Sequence, residues 1–413
     1  MARLSRVKCS CIFLSAYAVL LLSRILVLTS NYNWPIDPVV LELIYIFWCG
    51  FLLVYKKLKM IPARSMAILC ILLLHTILWG KVFVNTKIIP LIESQYQSQI
   101  MFVVIIAITV FMIKKYDIIY DFLKVSFWIL TAVLLLQFIT NLSDLDLSNI
   151  MNIMSTDERT RANFGFGHYN TLGAACVCVL VLSLIVYESS SMFLHFPIWM
   201  ARVLAFVMLL CSASRSSLTS LAVFIIVYYS IGIDEFDLSP KLKMFIKIVR
   251  FILLAFLILI ALFGIDWNEI LIESQRALVF DHALPLFLRS GRILLGLGFA
   301  SNTAYGTGET PYTTYWIDNG YIYYLITSGI LGFAFIASII CILFYELYKR
   351  HKDAFGRYVF SIFMMYLYGS LFEVTIFMSG AIINYIYLPL FIVTISFQPE
   401  WRKNIYAIAN QKD

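Results

Sequence analysis

A chain of 413 residues is long enough for two or three soluble domains, yet 62% of it is apolar and only 13% is charged, against roughly 45–50% and about 25% in soluble domains. The mean hydropathy of +0.88, with 33 Phe and 25 Tyr, points to a chain solvated largely by lipid, which excludes a soluble enzyme, a secreted disulfide-bonded domain and a disordered scaffold. A net charge of +7 would suit anionic lipid or nucleic acid, but the cations sit beside apolar runs, which decides against nucleic acid.

Met1 to Lys8 is basic and leads into an apolar run from Cys9 to Thr29. That run is too long for a signal peptide and lacks a small-x-small cleavage site, so it reads as a retained first span. The remaining runs bring the prediction to about twelve crossings, at 9–29, 39–55, 64–80, 99–113, 122–140, 169–187, 196–212, 217–233, 246–264, 319–346, 357–378 and 381–398. The expected fold class is therefore all-α: a polytopic integral membrane protein with a single transmembrane domain over 1–413 and external loops at 141–168 and 264–318.

With the amino terminus placed in the cytoplasm, the inner segments hold 21 of the 31 Lys and Arg, the outer segments hold eight, and Arg24 and Arg202 lie within spans. Lys and Arg resist translocation, so both termini are expected on the cytoplasmic side. Six of the outer cations are arginines, Arg159, Arg161, Arg215, Arg276, Arg289 and Arg292, and all follow the fifth span. The ionisable residues inside spans are Arg24, Glu42, His75, Arg202 and Glu373, and such positions are functional candidates by default. Arg24 and Arg202 lie close enough to span ends to snorkel as anchors. Glu373 is a candidate partner for an arginine at the outer side or in another span.

The loop 141–168 is too long for a tight turn, and loops of that length are usually functional or disordered. Between the seventh and eighth spans, Arg215 stands among Ser212, Ser214, Ser216 and Ser217. It either snorkels or binds a phosphate through its planar fork. The loop 264–318 opens with Glu269, Glu273 and Arg276 at helical spacing opposite Ile and Leu, which predicts an interfacial helix. Arg289 and Arg292, three apart, share a helical face. The rest of that loop mixes Gly291, Gly296, Gly298, Gly306 and Gly308 with Tyr305, Tyr312, Tyr315 and Trp316, which is either an aromatic belt with a glycine-rich turn or a platform for sugar rings. The eight cysteines lie in or beside apolar runs, so no disulfide framework is expected. Neither Cys176 and Cys178 nor Asp144 and Asp146 have further ligands near them, and no metal site is expected.

Four segments carry a resemblance: RANFGFGHYNTLG (Arg161 to Gly173), SASRSSL (Ser212 to Leu218), LLGLGF (Leu294 to Phe299) and DNGYIYYLITSGILG (Asp318 to Gly332). They resemble the Wzy-type O-antigen and capsular polysaccharide polymerases of the O-antigen polymerase and ligase superfamily. The likeness covers roughly residues 155–335, and the first 150 residues contribute hydropathy alone. It implies a GT-C-like membrane glycosyltransferase at the outer face of the bacterial inner membrane, which uses an undecaprenyl-diphosphate-linked glycan as donor, extends a second lipid-linked repeat unit and needs no cofactor. A chain-length regulator protein is a candidate partner. Related ligases typically carry a His where the last large loop re-enters the membrane. Here that stretch reads Asp318-Asn319-Gly320-Tyr321, which ranks the ligase reading second. A lipid-linked oligosaccharide flippase is the other alternative, for which inverted repeats and broken helices around a midplane path are expected. The sequence contains no internal repeat.

Breaking a sugar–diphosphate bond builds negative charge on the leaving group, which preorganised cations stabilise. Arg215 with Arg289 or Arg292 is expected to grip the diphosphate while Arg161 steers donor or acceptor. Arg276, Asn170 and Asn319 are further substrate-binding candidates. A base in reach of the acceptor hydroxyl assists its attack, and the outer candidates are His168, Asp281, His282, Glu309 and Asp318. His168 and Asp318 lead, although His168 also reads as a helix-terminal residue meeting water, and Asp318 with Asn319 as an ordinary helix cap.

Overall fold

The computed structural model describes residues 2–29, 37–55, 62–83, 93–145, 161–232, 244, 248, 284–298 and 319–396. The helices are α1 (Ala2–Val27), α2 (Pro38–Tyr55), α3 (Ala63–Ile77), α4 (Glu93–Tyr116), α5 (Ile119–Thr140), α6 (Tyr169–Glu188), α7 (His195–Cys211), α8 (Arg215–Ile231), the short α9 (Leu284–Arg289), α10 (Gly320–Lys349), α11 (Ala354–Gly369) and α12 (Asn384–Ser396). A π-helical turn, Leu78–Val82, extends α3. Among the described residues the only extended pairing is one antiparallel bridge, Thr29 with Phe166. Seven helical segments are long and apolar enough to cross a bilayer, and three shorter apolar ones accompany them. The chain is built as a polytopic membrane protein.

Helices occupy eleven of the twelve expected spans. The ninth, 246–264, lies outside the described residues apart from Ile248, as do the interfacial helix expected around Glu269 to Arg276 and the aromatic stretch from Tyr305 to Trp316. Two spans differ from expectation. The span expected over 357–378 is helical only to Gly369, and residues 370–383 run as consecutive turns before α12. The span expected over 319–346 is interrupted at Gly329, whose φ of 64° and ψ of −171° no helix accommodates.

Because lipid is as apolar as a protein core, helix faces in a bilayer are chosen by small residues that permit close approach and by polar groups that find partners. Gly173 of α6 lies where a Cβ would come 2.5 Å from Ser217 Oγ of α8. The Tyr17 hydroxyl lies 3.0 Å from Ser126 Oγ, joining α1 to α5. The Tyr45 hydroxyl meets Thr109 Oγ1 at 2.8 Å between α2 and α4. The Tyr358 hydroxyl of α11 donates to the Val181 carbonyl of α6 at 3.0 Å.

The helices alternate in direction, so the bundle has two distinct ends. At one end, Lys115 donates to the terminal carbonyls of α2, Leu52 and Leu53, Lys124 to Ser189 and Arg350 to Ile395, while Arg64 pairs with Glu346. Cations at helix C-termini satisfy orphan carbonyls and complement the dipole. The opposite end, where α1, α5, α7 and α11 finish and α6, α8, α10 and α12 begin, gathers Arg161, His168, Asn170, Arg215 and Asn319.

Candidate functional site

Four short pieces of chain meet at this second end: the 161–168 approach to α6, the 212–214 turn into α8, the 293–298 segment and the 370–383 segment. The approach to α6 is fixed by Gly167 N donating to Leu28 O at 2.8 Å and Ala162 N to Cys211 O at 3.2 Å. Its Phe164 ring is fully buried against Phe138, centroids 5.8 Å apart. Phe164, Ala213 and Phe377 have φ of 44°, 46° and 51°, a left-handed conformation costly for residues with a Cβ. Each lies in a different one of these pieces, and such strain concentrates where surrounding structure over-determines the backbone, often at functional sites.

The 370–383 segment is irregular backbone at the end of an apolar bundle, which is tolerated only where protein satisfies its polar groups or it lines a cavity. Side chains from four helices supply partners. The Tyr366 hydroxyl donates to Thr375 O at 3.1 Å and accepts from Phe377 N at 2.7 Å. The Tyr324 hydroxyl donates to Ile376 O at 2.9 Å. Gln99 donates to Phe377 O at 2.7 Å and accepts from Ser379 N at 2.9 Å. Asn384 donates to Met378 O at 2.8 Å.

Beside this segment opens a shallow cleft between α6, α8 and α11. Its exposed surface is mostly apolar, with Ala174, Val177, Met365 and Ile383 in its walls, and Asn170, Ser216, Ser217, Ser220, Glu373 and Thr375 also border it. Within it, Asn170 Nδ2 donates to Glu373 Oε1. Ser214 Oγ donates to Asn170 Oδ1 at 2.9 Å and lies 3.0 Å from Ser217 Oγ. The amide thus bridges a carboxylate and a serine cluster drawn from three separate parts of the chain.

The residues expected to carry chemistry divide into three groups. Asn170 lies at the centre of this network. Arg215 is the first residue of α8, one residue after the Ser214 hydroxyl. Arg161 lies over the Tyr169 ring, 4.0 Å from its centroid, and Tyr169 pairs with the His168 ring at 4.1 Å, so these three form a stack at the start of α6. His168 caps α6, its Nδ1 accepting from Asn170 N at 3.2 Å. Partial desolvation and then the Arg161 charge push its pKa below the usual imidazole value, which keeps the ring neutral and able to accept.

Asn319 caps α10, its Oδ1 accepting from Tyr321 N and Ile322 N at 3.0 Å each while its Nδ2 donates to Leu371 O at 2.9 Å. It secures the start of the 370–383 segment. Arg292 donates through Nη2 to Phe83 O, and Arg289 is exposed at the end of α9. The expectation that Arg289 and Arg292 share a helical face is corrected: α9 ends at Arg289, and Ser290 and Gly291, the latter at φ 68°, turn the chain before Arg292. Arg276 and Asp318 lie outside the described residues, as do Asp281, His282 and Glu309.

One intramembrane charge differs from expectation. Arg24 is no snorkelling anchor; it pairs with the fully buried Glu42 and lies 5.6 Å from the centroid of Tyr385, whose hydroxyl donates to Glu42 at 3.3 Å. Arg202 donates to the hydroxyl and carbonyl of Ser183 at 2.8 and 3.0 Å. Sequence reasoning missed Ser220, Tyr366, Thr375 and Tyr387. A signal for the irregular segment was present, since Ser370, Glu373, Thr375, Ser379 and Asn384 fit no single helical face.

The LLGLG stretch docks on the broken helix α10. Leu297 N donates to Ile326 O at 2.9 Å and Gly298 N to Thr327 O at 2.7 Å, while Ile330 N and Leu331 N donate back to Ile293 O and Leu294 O at 3.0 and 3.1 Å. Trp79 Nε1 of the π-turn donates to Leu295 O at 2.8 Å. Among the described residues no group of three or more His, Cys, Asp or Glu is arranged to hold a metal ion. No family model matches the chain, and no curated protein matches it.

Proposed function

We propose that the protein is a membrane glycosyltransferase that polymerises undecaprenyl-diphosphate-linked repeat units into O-antigen or capsular polysaccharide at the outer face of the bacterial inner membrane. In this reading both termini are cytoplasmic, the second end of the bundle faces outward, and the cation-rich first end faces the cytoplasm, in keeping with the distribution of Lys and Arg. The observation that carries it is the convergence of Arg215, the Arg161–Tyr169 stack and the cleft around Asn170 and Glu373 at one end of the bundle. Guanidinium groups suit a diphosphate, and Arg215 adds its charge to the positive end of the α8 dipole. Asn, Ser, Glu and Tyr side chains suit the hydroxyls and faces of sugar rings.

The mechanism follows from charge. The donor carries its own leaving group, so the protein orients two substrates and stabilises the departing diphosphate. Purified protein given lipid-linked repeat units extracted from cells null for this gene should produce a ladder of lengths, and Arg215→Ala should shorten or abolish it. Folded wild-type protein that yields no ladder defeats the reading.

A second reading, a flippase for the same lipid-linked oligosaccharide, is favoured by the interruption of α10 at Gly329 and the irregular 370–383 segment, since transporters use broken helices around their substrate sites. Null cells separate the two. Loss of a polymerase leaves single repeat units on the cell surface, and loss of a flippase leaves none. The ligase reading is separated by its product, because its loss leaves long chains on the lipid carrier.

A further inference from the structure

From the geometry of the cleft we infer that Glu373 is the general base that takes the acceptor sugar's proton, with Asn170 and Ser214 as its positioning residues; this rests on the glycosyltransferase reading. Glu373 is an ionisable side chain on the 370–383 segment and lines the cleft that also presents Ser216, Ser217, Ser220 and Thr375. It is the only carboxylate among the described residues lining that cleft. A carboxylate against apolar walls needs hydrogen-bond donors, and Asn170 is one, donating to Oε1.

The orientation of the amide is set in turn by the Ser214 hydroxyl, which donates to Asn170 Oδ1 at 2.9 Å. A carboxylate held by an oriented amide, itself held by a hydroxyl, has the architecture expected of a positioned base. The backbone that carries Glu373 is hydrogen-bonded on its far side. Glu373 O accepts from Thr375 N at 2.9 Å, and the Thr375 hydroxyl lies 2.7 Å from that of Ser370. Of the residues expected to act as base, His168 uses its Nδ1 to cap α6.

The step balances without an added reactant. A hydroxyl of the acceptor's non-reducing sugar attacks the anomeric carbon of the donor, and its proton passes to the Glu373 carboxylate. The anomeric carbon–oxygen bond to the diphosphate breaks, and its electron pair stays on the undecaprenyl diphosphate, where the arginines offset the charge. The proton on Glu373 is then lost to water. Among the described residues the other titratable groups lining the cleft are the Tyr366 and Tyr387 phenols; Arg215 and His168 stand at the starts of α8 and α6.

The test compares Glu373→Gln, Glu373→Asp and Asn170→Ala with wild type in the ladder assay over a range of pH, with binding of undecaprenyl diphosphate measured on each purified variant. Glu373→Gln is expected to lower kcat about 10²- to 10⁴-fold, to keep diphosphate binding and to lose the acid limb of the pH profile, on which the rate rises with pH as the base ionises. Glu373→Asp should recover part of the rate. Asn170→Ala should lower kcat about tenfold or more and retain the acid limb, which a merely structural defect would not separate from loss of binding. A Glu373→Gln variant that binds diphosphate and polymerises at the wild-type rate, or that keeps the acid limb, overturns this inference and leaves the glycosyltransferase reading standing. A folded wild type without a ladder overturns both.

Discussion

Replacing Gly329 by alanine probes the break in α10 that seats the 293–298 segment. Its φ of 64° and ψ of −171° fall in a corner of backbone space that is essentially glycine-only, and a side chain there costs roughly 1–3 kcal/mol. A Cβ at this position would lie 2.5 Å from Gly296 N and from the carbonyl carbon and oxygen of Leu294. These are backbone atoms, so relief requires moving the whole segment away. Four backbone hydrogen bonds join 293–298 to 326–331, and losing two of them at about 1 kcal/mol net each brings the expected cost to roughly 3–5 kcal/mol.

The assay is equilibrium unfolding by SDS titration in mixed micelles. Gly291→Ala is the control, because Gly291 also has a positive φ of 68° but no atom of the described residues within 4 Å of the added Cβ; it should cost only about 1–2 kcal/mol. If Gly329→Ala proves no more destabilising than Gly291→Ala, the close approach of the segment to the break is wrong, and with it the role assigned to LLGLG.

Three further outcomes are expected. Arg24→Ala leaves Glu42 buried without its cation and should destabilise the bundle by about 3–5 kcal/mol, whereas the double change Arg24→Met with Glu42→Leu should come close to wild type; equal losses in the two variants would refute the pairing. Gly173→Val should force α6 away from Ser214 and Ser217 and displace Asn170, so polymer formation should fall sharply even where the protein still inserts, as checked by membrane fractionation and surface glycan gels. His168 has its pKa held below the usual value, so its contribution to stability is complete above about pH 6.5 and is lost as acid protonates it and removes the acceptor for Asn170 N. His168→Asn, which caps without titrating, should flatten the stability profile between about pH 7 and pH 5, and a slope like that of wild type would rule out the cap as its origin.

Hydropathy located the helices because long, mostly uncharged apolar runs alternate with polar segments, and eleven of the expected spans coincide with described helices. It could not locate the two breaks, since a hydropathy window reads Leu, Ile and Phe alike whether the backbone is helical or turning. The information was held instead by residues that carry little hydropathy weight. Gly329 lies in a GILG stretch indistinguishable from a helical small-residue motif until Gly296, 33 positions earlier in the sequence, is seen to need the same space. The cleft was half legible for the same reason. Asn170 and Arg215 stood out through their neighbours, but Glu373 appeared as a lone charge in a span, because its partner Asn170 is 203 residues away. Arg24 and Glu42 were each visible singly, and snorkelling was the cheaper explanation for Arg24 until the packing of α1 against α2 placed the carboxylate beside it. In a lipid-solvated chain polar residues do not cover a surface; they must find each other across the bundle. Each intramembrane Asn, Glu, Gln or Arg in such a sequence therefore implies a specific partner elsewhere in the chain, and the 370–383 segment, with partners on α4, α10, α11 and α12, is where those obligations converge.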